Sequence, residues 1–277
     1  MFDQEDLLAQ LGSAATARVT ERLKRFAYIP LPVVERLASS EILTENWGPK
    51  HFVLLKYLAV NIGWSIEQGR YTHSDNQLYI AAGSLQTRYG TPVYLVFEPN
   101  KNPNQQPWIL RMVGSQISAP QLPLPPAIPT MPEIPRGAEI VMMHDHILGD
   151  NGGRVSFLQD TPPVAQMCAV SGAIQWSFNR ELQIPYWYYG KVSYLVPLYL
   201  QSRENITLAP DVIAPVEVSQ DSLLVRTVLA PHMPYANARV AVKRHDQLPA
   251  WMLDCWNTES ATMQEDEAED AETPETE

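Results

Sequence analysis

The chain has 277 residues, 45% of them hydrophobic, so it is long and apolar enough to bury a substantial core. Its formal net charge is −11, but residues 264–277 carry eight acidic side chains and no basic one, which leaves about −3 on the rest. The only cysteines, Cys168 and Cys255, exclude a disulfide framework and a zinc ribbon made by this chain alone.

The sequence also has no apolar run long enough to cross a bilayer and no basic-then-apolar leader. We therefore expect a cytoplasmic protein without a membrane partner. Residues 257–277 are predicted to form a disordered acidic tail, because so polar a composition cannot bury enough surface to fold. A protein partner could bind this tail.

Helical spacing dominates the first 69 residues. Apolar residues recur three and four positions apart between residues 3 and 26, and again between Phe52 and Ile66. Pro49 suits the first turn of the second helix, and Gly69 suits its end. Residues 1–69 are thus predicted to be the helical part of the protein.

After Gly69 the pattern changes to short runs of strand-forming residues, at 78–82, 93–97 and 108–113. Thr161 then precedes a helix whose predicted buried face includes Val164, Met167 and Cys168, and residues 223–229 form another candidate strand. The fold class predicted is α+β, with N-terminal helices packed on a largely antiparallel sheet. We expect one domain over residues 1–256, with its sheet-rich part at 70–256.

Residues 120–135 contain seven prolines in sixteen positions, which forbids a helix interior or a central strand. We predict an extended Pro-rich connector. The interleaved Leu122, Leu124, Ile128 and Ile134 favour a rigid crossover that buries them against the domain. Docking of a protein partner of the SH3 type is the alternative.

The stretch from His144 to Arg154 concentrates two imidazoles, two carboxylates, an amide, three glycines and an arginine in eleven residues. Asp150-Asn-Gly-Gly153 favours a hairpin turn between strands at 141–148 and 154–158. A loop of three or five residues would put His146, Arg154 and Ser156 on one face. A two-residue loop would instead place His146 opposite apolar side chains.

The same stretch contains side chains of the types that hold metal ions, at His144, Asp145, His146 and Asp150. Their close spacing divides them between the two faces of a strand, and no later acidic pair completes a set. We therefore expect no metal site and no cofactor.

Two later segments add candidate ligand groups. Residues 184–200 are the most aromatic part of the chain and include Lys191, so they could stack bases and pair with a phosphate, or simply form an aromatic core. In the second segment, Tyr235, Asn237 and Arg239 alternate with alanines, so a strand would present all three on one face. A polar network that supports the sheet is the alternative for this segment.

These motifs together resemble DUF3825, a bacterial family whose domain has no known function. The resemblance covers about residues 40–250. It is carried by Trp47 with the helix after it, Pro92-Val-Tyr-Leu-Val-Phe-Glu-Pro-Asn100 with Trp108, His146-Ile-Leu-Gly-Asp-Asn151 with Arg154, and Tyr235-Ala-Asn-Ala-Arg239. Ala236 departs from the asparagine that is typical of the family. Domains of this family are often joined to RNA-binding modules, so the resemblance implies a function on RNA.

The first functional hypothesis is an enzyme that cleaves a phosphodiester or processes RNA ends without a metal ion. His146 would move the proton and Tyr235 would complete the catalytic set, since phosphoryl chemistry needs proton transfer and fixed charge. The substrate would be held by a set of amides and cations, namely Asn151, Arg154, Lys191, Asn237 and Arg239. Two alternatives stay open: a module that binds RNA or a nucleotide without catalysis, and a scaffold for protein partners.

Overall fold

The computed structural model describes residues 3–12, 19–74, 76–102 and 105–272, with side chains up to residue 264. The chain divides into two compact units. The first comprises Met1–Ile128, Lys243–His245 and Met263–Glu277, and the second comprises Pro129–Val242 and Asp246–Thr262. Helices accompany two mostly antiparallel five-stranded sheets, which confirms the α+β fold class. The extent of a single domain over residues 1–256 stays a prediction.

The helices of the first unit are α1 (Gln4–Leu11), α2 (Val19–Phe26), α3 (Leu31–Arg36) and α4 (Phe52–Glu67). The predicted helix up to Gly69 is confirmed as α4. Its buried surface is wider than a stripe, because α4 contacts α1, α2 and β3 (Gln77–Gln86) at once. Consequently Val53, Leu54 and Tyr57 are buried, whereas Phe52, which was predicted to be buried, is exposed.

The sheet of the first unit has the order β1-β5-β4-β3-β2. Its remaining strands are β1 (Ala27–Tyr28), β2 (Tyr71–Ser74), β4 (Pro92–Pro99) and β5 (Trp108–Gly114). Every pairing is antiparallel except that of β1 with β5. The three runs predicted as strands after Gly69 are confirmed as β3, β4 and β5.

The Pro-rich connector is extended, as predicted, and contains neither helix nor strand. The side chain of Gln68 bonds to both the N–H and the carbonyl oxygen of Ala127, each at 2.8 Å, and Arg70 donates to the carbonyl of Pro125. Beyond residue 128, the Tyr194 hydroxyl donates to the carbonyl of Pro132 at 2.6 Å. The connector is thus held by its backbone. The predicted burial of Leu124 is wrong, since its side chain is 72% exposed.

The sheet of the second unit has the order β6-β10-β9-β8-β7. It comprises β6 (Glu139–Met142), β7 (Ile184–Tyr188), β8 (Lys191–Leu198), β9 (Val212–Val218) and β10 (Ser222–Val225), and only β6 and β10 run parallel. One face packs on helix α5 (Pro163–Phe178), where Val196, Ala214 and Val225 join Val170 and Ile174 in one apolar cluster. Because side chains alternate along strands, the opposite face is left to form the candidate site.

The helix predicted after Thr161 is confirmed as α5, but its buried face is different. Val164 and Cys168 are exposed, whereas Gln166, Val170 and Ala173 are buried. The apolar residues surround this helix almost evenly, so their spacing did not distinguish one face. The sheet beneath α5 decides which side is covered.

The hairpin predicted around Asp150 is wrong. Strand β6 ends at Met142 and pairs with β10, while Asp145–Asp150 form a π-helical turn and Gly152–Leu158 form a 3-10 helix. These two short helical turns bury Ile147 and Val155 in the core of the second unit. Burying two such side chains contributes about 3–6 kcal/mol, which outweighs the preference of an Asn-Gly pair for a hairpin turn.

The predicted strand over Tyr235–Arg239 is also wrong, because these residues form helix α6 (Tyr235–Val240). Alanine has the highest helix propensity, so Ala236 and Ala238 favour the helix. All of α6 except Asn237 is buried. The helix therefore separates Asn237 from Tyr235 and Arg239.

Helix α7 (Ala250–Glu272) covers most of the segment predicted to be a disordered tail, residues 257–277, and the boundary at residue 257 stays a prediction. Its buried residues include Met252, Trp256 and Ser260, which follow one another at intervals of four residues. That spacing places them on one helical face, and their burial extends the helix into the polar segment. Residues 273–277 lie outside the described residues. None of the described helices is long and apolar enough to cross a membrane.

Candidate functional site

The candidate site is a cavity of about 1020 Å³ in the second unit. Its largest wall is the sheet face opposite the α5 core. The strand registers pair Tyr186 with Ser193, Tyr188 with Lys191, and Leu224 with Glu217, so these side chains share one face. The remaining lining comes from Pro129–Pro132 of the connector and from His146, Met233 and Asn237.

Three tyrosines form one end of this wall. Tyr186 and Tyr188 stack with ring centroids 5.8 Å apart, and Tyr188 meets Tyr189 edge to face at 4.4 Å. Tyr186 is buried, whereas about half of the surface of Tyr188 and of Tyr189 is exposed. The rings of Tyr188 and Tyr189 are therefore available to a ligand, and the buried ring of Tyr186 supports Tyr188.

The turn between β7 and β8 holds Tyr189 in place. Tyr189 and Gly190 have φ values of 46° and 83°, the pattern of a tight two-residue hairpin turn of type I′. A tyrosine in the left-handed region carries a strain of about 1–3 kcal/mol, and such strain is concentrated at functional sites. The strained turn keeps the Tyr189 ring in the lining of the cavity.

Charge in the cavity is centred on Glu217. Its carboxylate accepts a hydrogen bond from Lys191 Nζ at 2.8 Å and pairs with Arg226 Nη2 at 3.7 Å. The hydrogen bond from Lys191 is the main reason that the pKa of Glu217 is lowered, and the nearby charges add to the effect. These two cations and one carboxylate leave one net positive charge, and exposed ion pairs of this kind are exchanged at little cost.

Tyr186 and Asn237 provide the polar contact between β7 and α6. Asn237 Nδ2 donates to the Tyr186 hydroxyl oxygen at 3.1 Å. Burial raises the pKa of Tyr186 to about 12, so this hydroxyl stays protonated at neutral pH. Asn237 Oδ1 is buried and has no hydrogen-bond partner among the described residues.

His146 lines the cavity from the π-helical turn. Its Nδ1 lies 3.0 Å from Asp150 Oδ2, and its Nε2 lies 3.3 Å from Asn151 Nδ2. Asn151 Nδ2 also donates to the His146 carbonyl at 2.7 Å, which fixes the turn. A carboxylate on one ring nitrogen is the usual way to orient a histidine that moves protons. Within the described ranges, no group of three or more His, Cys, Asp or Glu side chains could hold a metal ion.

The structure brings only part of the predicted site together. His146, Lys191 and Asn237 line the cavity, and Asn151 contacts His146 from outside the lining. The other three predicted residues have places elsewhere in the second unit. Arg154 Nη1 donates to the Val228 carbonyl at 2.7 Å, Arg239 is buried and donates to the Val242 carbonyl at 3.2 Å, and Tyr235 stacks on Trp256 at 4.9 Å.

The cations that do line the cavity include one that the sequence analysis missed. Glu217 lies on β9 and Arg226 directly follows β10, and each of these charged residues comes directly after a buried valine, Val216 and Val225. This order of a valine and a charged residue was readable from the sequence. Their proximity to Lys191 was not, because it depends on the pairing of β8, β9 and β10.

A family model with the description "Domain of unknown function (DUF3825)" matches residues 38–248. The chain belongs to the DUF3825 family. No curated protein and no solved structure matches it. All residues that line the cavity, from Pro129 to Asn237, fall within the matched range. The cavity is therefore part of the DUF3825 domain itself.

Proposed function

We propose that this DUF3825 chain binds single-stranded RNA by taking up one or two unstacked nucleotides in the tyrosine-lined cavity. The observation that carries the proposal is the meeting of two exposed tyrosine rings, Tyr188 and Tyr189, with the two cations of one cavity wall, Lys191 and Arg226. Single strands are recognised by stacking bases on aromatic rings and pairing phosphates with cations.

The dimensions and charge of the cavity fit this ligand. Its volume lies at the upper end of the range for small-molecule pockets, about 300–1000 Å³, so it has room for more than one nucleotide. Without residues 264–277 the chain has a formal charge of only about −3, which argues against nonspecific binding to the phosphate backbone, because such binding needs many cations. A selective pocket for a few nucleotides is consistent with both facts.

The test measures fluorescence anisotropy of a labelled single-stranded RNA octamer with wild type, Tyr188→Leu and Tyr189→Leu. Leucine keeps an apolar side chain but removes the ring, so we expect each variant to bind about ten-fold more weakly, within the 1–3 kcal/mol of one stacking contact. Tyr28→Leu is the matched control, since Tyr28 is also half exposed but lies in the sheet of the first unit.

If wild type binds the octamer, two outcomes would still contradict the proposal. One is wild-type affinity in both cavity variants. The other is equal affinity for the octamer and for its blunt duplex, because paired bases cannot enter an aromatic cavity. Wild type that binds no RNA in the assay would favour the protein-scaffold hypothesis instead.

Cleavage of the bound RNA is a second candidate, favoured by one observation, the contact of Asp150 with the ring of the cavity histidine His146. A histidine oriented in this way could act as general acid or base. The test incubates a mixed RNA pool with wild type and His146→Gln, with and without chelator, and analyses the product ends. Cleavage that is lost in a folded His146→Gln protein that still binds RNA would support catalysis. Intact RNA under every condition would leave binding as the function.

A further inference from the structure

A second group of aromatic and cationic side chains lies apart from the residues that line the cavity, at the end of α5. The guanidinium carbons of Arg180 and Arg203 lie 4.0 Å and 4.9 Å from the centroid of the same Trp176 ring. The two carbons are therefore no more than about 9 Å apart, so two positive charges lie on one indole ring.

Each member of this group is held in position. Arg180 Nη1 donates to the Trp176 carbonyl at 3.2 Å, and Arg203 Nε donates to the Tyr199 carbonyl at 3.1 Å. The Tyr199 ring packs edge to face on Trp176 at 6.0 Å. The Tyr199 hydroxyl in turn donates to the carbonyls of Ile206 and Leu208. Most N–H groups of the two guanidiniums are left for a ligand, on a surface that is already ordered.

The two arginines have no counterion among the side chains that the structure describes. Both are exposed, and neither forms an ion pair with any described carboxylate, although Glu181 and Glu204 are adjacent to them in sequence. Two guanidiniums on one indole, without a carboxylate between them, repel each other electrostatically. A shared anion would convert that repulsion into attraction, and the planar forks of arginine match a phosphate.

We propose that Trp176, Arg180 and Arg203 form a second binding site that takes a phosphate group of the RNA backbone. The choice of RNA as the source of that phosphate rests on the proposed function, whereas the anion site itself rests on the geometry of the two arginines. A phosphate contact positions a strand without reading its sequence, so the site would add affinity but no base preference.

The test measures RNA affinity by anisotropy between 50 and 300 mM KCl, using labelled 16-mers and the variants Arg180→Gln and Arg203→Gln. Removing one phosphate contact lowers the slope of log K against log salt by about 1 and weakens binding uniformly across sequences. Arg88→Gln is the matched control, because Arg88 stacks on Tyr89 at 4.8 Å as a single arginine. Melting temperatures identify any variant that fails to fold, and Arg→Met variants, which also remove the charge, then replace it.

A parallel titration with inorganic pyrophosphate by calorimetry separates this inference from the proposed function. Unchanged salt slope and RNA affinity in both glutamine variants overturn the inference. If only Tyr188→Leu then loses RNA affinity, the cavity remains the RNA site. A reduced salt slope in the arginine variants, together with wild-type RNA affinity in Tyr188→Leu, supports the phosphate site and contradicts RNA binding in the cavity. If wild type binds no RNA, pyrophosphate heat that disappears in the arginine variants supports the site, and absence of heat overturns it.

Discussion

Individual residues in the cavity show how burial sets protonation. Tyr186 is buried against Asn237, and burial raises the pKa of its hydroxyl to about 12. An unfolded tyrosine ionises near pH 10, so only the unfolded state loses this proton between pH 10 and 12. The contribution of Tyr186 to stability is therefore complete below pH 10 and falls as the pH rises toward 12.

This linkage predicts the behaviour of Tyr186→Phe. At pH 8 the variant loses the hydrogen bond from Asn237, and we expect its free energy of unfolding to fall by about 1 kcal/mol. At pH 11 the free energy of unfolding of wild type has fallen by about 1.4 kcal/mol, a loss that the variant cannot have, so the advantage of wild type should disappear or reverse slightly. Urea unfolding of both proteins at the two pH values measures this. A difference that is the same at pH 8 and pH 11 would contradict the prediction, with Tyr28→Phe as control.

At the scale of elements, the β7–β8 hairpin combines strain with ligand contact. Its turn residues have positive φ, for which Asn-Gly is the favoured pair, yet the chain has Tyr189 before Gly190. A residue that fits its turn poorly but lines a cavity is expected where binding, and not stability, depends on the side chain.

Replacing Tyr189 by Asn should therefore stabilise the protein and weaken RNA binding together. We expect a gain of roughly 0.5–1 kcal/mol in the free energy of unfolding, because Asn tolerates the left-handed region. Chemical denaturation and the octamer assay measure the two effects on one sample. Tyr89→Asn is the matched control, since Tyr89 also precedes a glycine between two strands but does not have positive φ. Loss of both stability and affinity in Tyr189→Asn would show that the turn is not strained.

Elements also differed in how far local sequence could predict them. Strands β3, β4 and β5 and helix α4 were predicted because their apolar periodicity continues over many residues. The hairpin around Asp150 and the strand at Tyr235 were predicted from a few residues each, and both were wrong. At Asp150 the burial of Ile147 and Val155 outweighed a local turn preference, and no short motif contains that information.

At the scale of the whole molecule, charge is concentrated at the C-terminus. Residues 264–277 carry eight of the acidic side chains, and the formal charge without them is about −3. An acidic segment repels RNA at long range whatever its conformation, because the field of several like charges extends over about 10 Å at 0.1 M salt.

A variant that ends at Gln264 should therefore associate with RNA faster than the full chain. We expect the association rate at 50 mM KCl to rise several-fold, and the difference to disappear by 300 mM KCl as salt screens the charges. Stopped-flow anisotropy measures both rates. A full-length variant with these acids replaced by amides should match the truncated protein, and a salt-independent difference would contradict the electrostatic cause.

The sequence alone determined the fold class, the family, the extended connector and most of the regular elements, since these follow from composition and from periodicity along the chain. It also indicated His146, Lys191 and Asn237, which the structure places in one cavity lining. Only the tertiary structure decided that Arg154 and Arg239 donate to backbone carbonyls, and that Arg226 joins Lys191 at Glu217. The reason is that the partner of a cation depends on which strands pair and which helix covers them, and those choices are made by burial across the whole unit.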